Sequence, residues 1–282
     1  MSLNPRPTRS EQREAARAKA RELREQRAKG ESRRRVLIFS VISILVAVVI
    51  AGVSWAVISF SEDSKIKAEN AKKVPANIST QGGILIGKDL QIVSEAEARK
   101  TNHIVIYQDY QCPICQVFES PNAAQLRTWA GSGLAVVEIH PISFLDGASL
   151  NNYSSRATNA ALCVVNSQPE KFFDVNTALY ANQPAENTSG PSDAQLKDTL
   201  KYNGVTMDDE MNTCIDQKRY ETYINNITAA SFQENAVTGN TKVGGTPHIL
   251  VNGNLYDWEG SLANLGNPGR FSQFFTVHQK SN

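Results

Sequence analysis

Cysteine and histidine are scarce in this sequence, with four of each among 282 residues. Cys112 and Cys115 lie two residues apart, whereas Cys163 and Cys214 each stand alone, and the histidines are scattered without forming a spaced pair. A structural zinc site needs four ligands at characteristic spacings. We therefore expect neither a metal site nor any other cofactor.

Charge is absent from the 25 residues between Val36 and Phe60. As a helix this run would be about 37 Å long, more than the hydrocarbon core of about 30 Å. We therefore predict a transmembrane helix at 36–60. A cleaved signal peptide is the alternative, but its apolar region usually covers only about 7–15 residues after a short leader. A buried core helix fits an uninterrupted apolar run less well.

Basic residues dominate the segment before this run, with 12 Lys or Arg and only 5 Asp or Glu in residues 1–35. The positive-inside rule places this segment in the cytoplasm and the chain after residue 60 outside the cell membrane, where disulfides can form. We interpret residues 1–35 as a solvated segment that fixes the topology, with binding to anionic lipid head groups as the alternative. Residues 61–79 have mixed charges and are predicted to be a linker.

Strand and helix patterns follow one another in the rest of the chain. A strand at 103–110, a helix at 116–130 and a second strand at 134–142 predict a βαβ unit with parallel pairing. A hairpin is predicted within 82–93, before the βαβ unit. Residues 154–238 are predicted to be mostly helical. After them the pattern predicts strands at 248–251 and 255–258 around the turn Asn252-Gly253, and a helix near 271–277. These patterns predict an α/β domain at 80–282 that contains a helical insertion at about 150–240.

The pair Cys112-Pro113-Ile114-Cys115 lies between the predicted strand and helix of the βαβ unit. A cysteine at a helix N-terminus tends to ionise, because backbone N–H groups and the helix dipole favour an anionic sulfur. We therefore expect Cys112 to be an exposed nucleophile with a lowered pKa, and Cys115 to be a buried resolving thiol. Pro113 suits the first turn of a helix, where its missing N–H leaves no bond unmade. A purely structural bridge is less plausible, since so short a loop constrains little of the unfolded chain.

The stretch 107–115, Tyr-Gln-Asp-Tyr-Gln-Cys-Pro-Ile-Cys, resembles the active-site segment of DsbA-like thiol:disulfide oxidoreductases, and most of all their membrane-anchored bacterial branch. Residues 244–253, Gly-Gly-Thr-Pro followed by an apolar strand, resemble the cis-proline loop of the same family. The resemblance covers roughly residues 80–282 and implies a thioredoxin fold with a helical insertion. It also implies a cis Thr246–Pro247 bond beside the cysteines, with Thr246 offering its backbone to an extended substrate.

The resemblance implies an enzyme that introduces disulfides into exported proteins with reduced cysteines. A membrane quinone-linked thiol oxidase is the partner implied by analogy, and no nucleic-acid partner is expected. One alternative is an extracytoplasmic reductant or isomerase, for example in cytochrome c maturation. Another is a peptide-binding module that uses the thioredoxin groove without turnover. Strongly oxidising relatives often carry His after the proline, so Ile114, which donates no hydrogen bond, predicts a less oxidising protein.

Acidic residues near the motif are candidates for handling the proton of Cys115. Many relatives carry an acid six residues before the first cysteine, but here that position is Ile106. Asp109 or Glu138 could take the role. The alternatives are that Asp109 caps the active-site turn and that Glu138 points to solvent on an alternating strand, and for Glu138 we favour the latter.

The remaining cysteines, Cys163 and Cys214, lie within apolar helical patterns of the predicted insertion. Four cysteines allow three pairings, and the Cys112–Cys115 motif accounts for one pair. We therefore predict a structural Cys163–Cys214 disulfide that stabilises the fold by about 4 kcal/mol. A second redox-active pair is the alternative, although neither cysteine has a CxxC context.

Overall fold

In the computed structural model of the protein, residues 64–233 and 242–280 are described, together with Glu14, Arg17, Lys19, Arg21 and Val48. The chain divides into two units, residues 1–65 and residues 66–282, and every element described below belongs to the second. The predicted transmembrane helix and basic segment lie outside the described residues apart from those isolated positions. Within the described part, no helix combines the length and the apolarity required to cross a membrane.

A mixed sheet with the strand order β1-β3-β2-β4-β5 forms the centre of the second unit. Its strands are β1 (Ile84–Ile86), β2 (Asn102–Gln108), β3 (Ala135–Pro141), β4 (His248–Val251) and β5 (Asn254–Leu255). Strands β2 and β3 are parallel, while β1 and β4 run antiparallel to their neighbours β3 and β2. Helix α2 (Pro113–Gly131) connects the two parallel strands, so the predicted βαβ unit is present.

Ile84–Ile86 forms the first strand of the predicted hairpin, but its pairing with the apolar residues that follow is limited to one antiparallel bridge. The main partner of this strand is β3, where Ile84 lies opposite Ile139. The chain beyond Ile86 cannot continue as a strand because Asp89 and Leu90 have φ values of 55° and 58°, and only one bridge joins Ile86 to Ile92. All three β1 side chains are buried, which an isolated hairpin in water could not achieve.

Helices cover the sheet and form the insertion. In the described ranges from residue 84 onward, and besides α2, they are α1 (Glu95–Lys100), α3 (Tyr153–Ser167), α4 (Phe172–Ala181), α5 (Asp193–Tyr202), α6 (Asp209–Asp216), α7 (Glu221–Ser231), α8 (Leu262–Leu265) and α9 (Pro268–His278). Helices α3 to α7 lie between β3 and β4 in the chain, which is where the sequence predicts the insertion. The loop after α4 ends at Ser192, whose side chain caps α5 together with Gln195.

The two faces of the sheet bury different sets of side chains. Ile104 and Ile106 of β2 join Cys115 and the buried residues of α3 in the main core. Val105 and Tyr107, which alternate with them, belong to a smaller cluster on the opposite face. Because successive strand residues point to opposite faces, this alternation decides which polar side chains can lie near the cysteines.

Candidate active site: the Cys112–Cys115 dithiol

The motif lies where β2 ends and α2 begins. Strand β2 ends at Gln108, a short turn follows, and the Cys112 amide donates a hydrogen bond to the Asp109 carbonyl at 3.0 Å. Cys112 has extended backbone angles and is the N-cap residue of α2, and Pro113 occupies the first turn. The helix therefore begins at the motif itself, and this places the Cys112 sulfur beside the free N–H groups of the helix end.

The two thiols are free and differ in their electrostatics. A hydrogen bond from the Cys115 thiol lowers the pKa of Cys112 to about 7, with further help from the amides of Cys115 and Ile114, although partial burial opposes the shift. Burial raises the pKa of Cys115 well above its ordinary value, and the neighbouring Cys112 adds to this. Near neutral pH Cys112 is therefore about half ionised, while Cys115 remains a thiol.

The expectation that Cys112 is exposed is wrong. Its side chain is 4 % exposed, against 2 % for Cys115, so both sulfurs lie below the surface. The Thr246 carbonyl oxygen lies 3.4 Å from the Cys112 sulfur and shields it. The small exposed fraction therefore does not distinguish the two thiols. Their pKa values differ because burial raises that of Cys115, while the hydrogen bond from Cys115 lowers that of Cys112.

The loop before β4 forms the opposite wall of the site. The Thr246–Pro247 peptide bond is cis. His248, the next residue, pairs with Tyr107 of β2, and this pairing holds the loop beside the end of β2 from which the motif emerges. The structure thus brings Thr246 to the two cysteines, which precede it by more than 130 residues in the chain.

Three glutamines attach the helical insertion to the active-site turn, and sequence reasoning missed them. Gln183 Nε2 donates to the carbonyl oxygens of Tyr110 and Cys112, both at 2.9 Å. Gln116 Nε2 donates to the Tyr180 carbonyl at 2.7 Å, and Gln111 Nε2 donates to that of Pro184 at 3.1 Å. The partners of these contacts are more than 60 residues apart, so no local pattern could have indicated them.

Asp109 is fully buried and caps the active-site turn, one of the two roles considered for it. Its Oδ1 accepts hydrogen bonds from the Gln111 amide at 2.8 Å and the Ser154 hydroxyl at 2.6 Å, and its Oδ2 accepts one from the Leu145 amide at 3.0 Å. Burial raises the pKa of Asp109 to about 6, against the opposing effect of these donors. Both carboxylate oxygens are thus engaged in holding the turn.

The prediction that Glu138 points to solvent is wrong. Its side chain is 6 % exposed, and its two oxygens lie 2.8 Å from His103 Nε2 and 3.1 Å from His140 Nε2. Burial raises the pKa of Glu138, but the close approach of both histidines and the hydrogen bond from the Ser79 hydroxyl outweigh it and hold the pKa well below its usual range. Glu138 alternates with the core residues Val137 and Ile139, so the sheet separates it from Cys115.

Glu119 is a buried acid that sequence reasoning missed. It lies four residues after Cys115 on the buried side of α2 and is 2 % exposed. Burial raises the pKa of Glu119 to about 7, against hydrogen bonds from Thr177 and Asn176. The spacing of four from a cysteine, within a predicted helix, is the signal that could have found it.

Cys163 and Cys214 form a disulfide that joins α3 to α6, with an S–S distance of 2.02 Å and a Cα–Cα distance of 6.0 Å. Both residues are buried in the main core. Asn159, one turn before Cys163, donates to the Cys214 carbonyl at 3.3 Å and so holds the same junction. This bridge lies within the insertion and leaves the Cys112–Cys115 pair free.

A CxxC dithiol at the start of the crossover helix, facing a cis-proline loop, defines a thioredoxin-fold dithiol protein. A family model described as Thioredoxin matches residues 95–267, which is more than half of the chain. The chain therefore belongs to the thioredoxin family. No curated protein sequence matches it significantly.

Several solved structures resemble the chain. The reduced form of the disulfide bond oxidoreductase DsbG from Mycobacterium tuberculosis is 25% identical, with a TM-score of 0.57, and the match covers 70% of this chain and 86% of DsbG. The thiol-disulfide oxidoreductase MdbA from Corynebacterium matruchotii is 20% identical with a TM-score of 0.53, and the match covers 74% of this chain and 98% of MdbA. Oxidised BdbD from Bacillus subtilis is 18% identical with a TM-score of 0.53, and the match covers 73% of this chain and 97% of BdbD. The last two share the fold with this chain.

Proposed function

We propose that the protein is a thiol:disulfide oxidoreductase that uses Cys112 as its nucleophile and Cys115 as its resolving thiol. The observation that carries the proposal is the difference between the two thiols. The pKa of Cys112 is lowered to about 7, while that of the adjacent Cys115 is raised by burial. A thiolate next to a protonated partner is the arrangement that disulfide exchange requires.

The reaction follows from this arrangement. In the oxidised protein, a substrate thiolate attacks Cys112, the Cys112–Cys115 bond breaks, and Cys115 leaves and takes up a proton. A second substrate thiolate then attacks the substrate sulfur of the mixed disulfide and displaces Cys112 as a thiolate. The substrate loses two electrons and the protein gains them. Run in reverse, the same steps reduce a substrate disulfide.

The relatives support the proposal, since DsbG and MdbA are themselves described as oxidoreductases of disulfides. They do not fix the direction of electron flow. A Cys112 pKa of about 7 is close to that of thioredoxin, a reductant, and lies well above the value of about 3.5 for a strongly oxidising relative. This observation favours a mild oxidant and keeps a reductant or isomerase as the second candidate. A reduction potential below about −250 mV would identify a reductant.

The setting of the reaction is also a proposal. The uncharged run at 36–60, with basic residues before it, supports a single membrane anchor with the N-terminus in the cytoplasm and the domain at 80–282 outside. In that setting the substrates are exported proteins with reduced cysteines. A membrane quinone-linked thiol oxidase would then restore the Cys112–Cys115 disulfide, and residues 61–79 would link the domain to its anchor.

Trapping of mixed disulfides tests the proposal. With Cys115→Ala, the Cys112 thiolate can still attack a substrate disulfide, which is the reverse of the oxidising step, but the thiol that would resolve this complex is missing. We therefore expect disulfide-linked substrates to accumulate in cells and to be released by reductant. The double variant Cys112→Ser/Cys115→Ala is the matched control and should trap nothing. If the two variants give the same pattern, or if Cys112→Ser retains the cellular function, the protein is a binding module and not an exchange enzyme.

A further inference from the structure

We propose that Gln183, just beyond the end of α4, is a positioning residue that keeps the Cys112 sulfur at the N-terminus of α2. It does so by binding the backbone on both sides of Gln111 and so fixing the turn that carries Cys112. The inference deepens the proposed function and rests on it, because Cys112 is the nucleophile of that reaction. It gives the helical insertion a part in the chemistry as well as in the fold.

One side-chain amide makes both contacts. Gln183 Nε2 lies 2.9 Å from the carbonyl oxygen of Tyr110 and 2.9 Å from that of Cys112. Carbonyl oxygens only accept hydrogen bonds, so the NH2 end of the side chain must face them, and its two hydrogens supply one bond each. The side chain therefore spends its full donor capacity on the active-site turn.

The two acceptors bracket the backbone angles that decide where the Cys112 side chain points. The carbonyls of Tyr110 and Cys112 belong to peptide planes that are separated by the φ and ψ angles of Gln111 and Cys112. Because peptide planes are rigid, holding both carbonyls on one amide restricts these angles together. Cys112 has a φ of −75° and a ψ of 115°, the extended geometry of an N-cap residue. In this geometry an N-cap side chain turns back toward the second and third amides of its helix.

The second and third amides of α2 belong to Ile114 and Cys115. The Cys115 thiol, with the help of these two amides, lowers the pKa of Cys112 to about 7, against the opposing effect of burial. All of these groups are neutral donors, whose hydrogen bonds weaken steeply when the distance or the angle changes. The charge of Cys112 therefore depends on the orientation of its side chain, and this orientation depends on the turn that Gln183 holds.

The shorter of two hydrogen bonds to the Cys112 carbonyl comes from Gln183. Within α2 the same carbonyl accepts a hydrogen bond from the Gln116 amide, but at 3.3 Å this bond is longer than a typical N–H···O bond. The contact from Gln183, at 2.9 Å, has the typical length. The backbone at Cys112 is therefore held more tightly from the insertion than from its own helix.

Other contacts keep the insertion attached to the turn when Gln183 is changed. The Tyr180 hydroxyl donates to the Asp109 carbonyl at 3.2 Å, and Gln116 Nε2 donates to the Tyr180 carbonyl at 2.7 Å. Removal of the Gln183 amide should therefore loosen the backbone at Cys112 without detaching α4. An effect on the sulfur can then be separated from an effect on the fold.

Gln183→Met tests the inference, because methionine keeps the length of the side chain without the amide. We expect the pKa of Cys112, measured from the ultraviolet absorbance of its thiolate in the reduced full chain, to rise by roughly 0.5–1, as for the loss of one hydrogen bond. The reduced form loses the same stabilisation. At about pH 8.5 the equilibrium with glutathione should therefore shift about three- to eightfold toward the oxidised variant.

Gln168→Met is the matched control. Gln168 is also partly buried and also makes two hydrogen bonds to backbone, from its Nε2 to the Thr206 carbonyl at 2.9 Å and from the Thr206 amide to its Oε1 at 2.8 Å. Both contacts lie within the insertion. This variant should lower the urea midpoint of unfolding about as much as Gln183→Met does, and it should leave the pKa of Cys112 unchanged.

Gln183→Asn serves if the methionine variant fails to fold. Its amide is one methylene too short to reach both carbonyls, so the same rise in the pKa of Cys112 is expected. An unchanged pKa in either folded variant, an equal rise in Gln168→Met, or failure of both Gln183 variants to fold would overturn the inference. If the wild-type protein shows no thiolate near neutral pH, the proposed function fails as well, whereas an unchanged variant beside an ionised wild type contradicts the inference alone.

Discussion

Replacement of Ile114 by His tests how the motif sets the direction of electron flow. Ile114 is partly buried in the first turn of α2, and its amide is one of the groups that lower the pKa of Cys112. Its own side chain donates nothing to the sulfur. An imidazole N–H at this position would add a donor to the Cys112 thiolate, which exists only in the reduced protein. We therefore expect Ile114→His to raise the reduction potential.

The size of the rise follows from the present pKa of Cys112, about 7. A hydrogen bond to a charged group contributes about 1.5–3 kcal/mol, which corresponds to a further fall in pKa of roughly one to two units. At neutral pH the wild-type thiolate is already about half formed, so the reduced variant gains only about 1–2.6 kcal/mol. At about 30 mV for each 1.4 kcal/mol, the potential should rise by roughly 25–55 mV.

Equilibration with glutathione buffers, followed by alkylation and separation of the oxidised and reduced forms, measures the potential. The absorbance of the Cys112 thiolate against pH measures its pKa in the same samples. Ile114→Val is the control, since it adds no donor and should leave both quantities unchanged. The reasoning fails if Ile114→His lowers the pKa of Cys112 while the potential stays constant or falls.

Two further predictions concern the stability of the fold. The double variant Cys163→Ala/Cys214→Ala removes the insertion disulfide, whose cysteines are 51 residues apart in the chain. It should lower the free energy of unfolding by about 4 kcal/mol. A loss below about 1 kcal/mol in urea titrations would show that the bridge is not structural. Glu138→Gln should destabilise the protein by about 3 kcal/mol near neutral pH, because it removes the carboxylate between His103 and His140. Since the folded pKa of Glu138 is depressed, this difference should be present above the unfolded pKa of about 4.3 and shrink as the pH falls below it, and a difference that stays constant with pH would contradict the assignment.

Local patterns predicted much of the fold because they depend on residues close together in the chain. The apolar runs of β2 and β3 and the turn at Asn252-Gly253 each report a short-range preference. The hairpin predicted at 82–93 is reduced to a single bridge for a complementary reason. Its first strand is apolar on both faces, and the pattern does not say which neighbour buries it; the structure assigns that role to β3.

In the candidate site, too, the sequence predicts the local features and misses the long-range contacts. The spacing of Cys112 and Cys115 before a helix was enough to indicate a reactive dithiol, and the resemblance at 244–253 indicated the loop that faces it. The burial of Cys112 depends on the Thr246 carbonyl, 134 residues away. The charge of an acid on a strand does not indicate whether its side chain faces solvent or the interior. The sequence therefore predicts an exposed Glu138, although two histidines contact its carboxylate below the surface.

The sequence by itself therefore determined the reactive pair, its place at a helix N-terminus and the alternation of strands and helices around it, since these follow from backbone geometry over a few residues. Only the tertiary structure decided which acid lies on the cysteine side of the sheet, what covers Cys112 and how the insertion holds the active-site turn. The physical reason is that desolvation and hydrogen bonding depend on every group within a few ångströms, and at this site those groups come from β2, α2, α4 and the loop before β4.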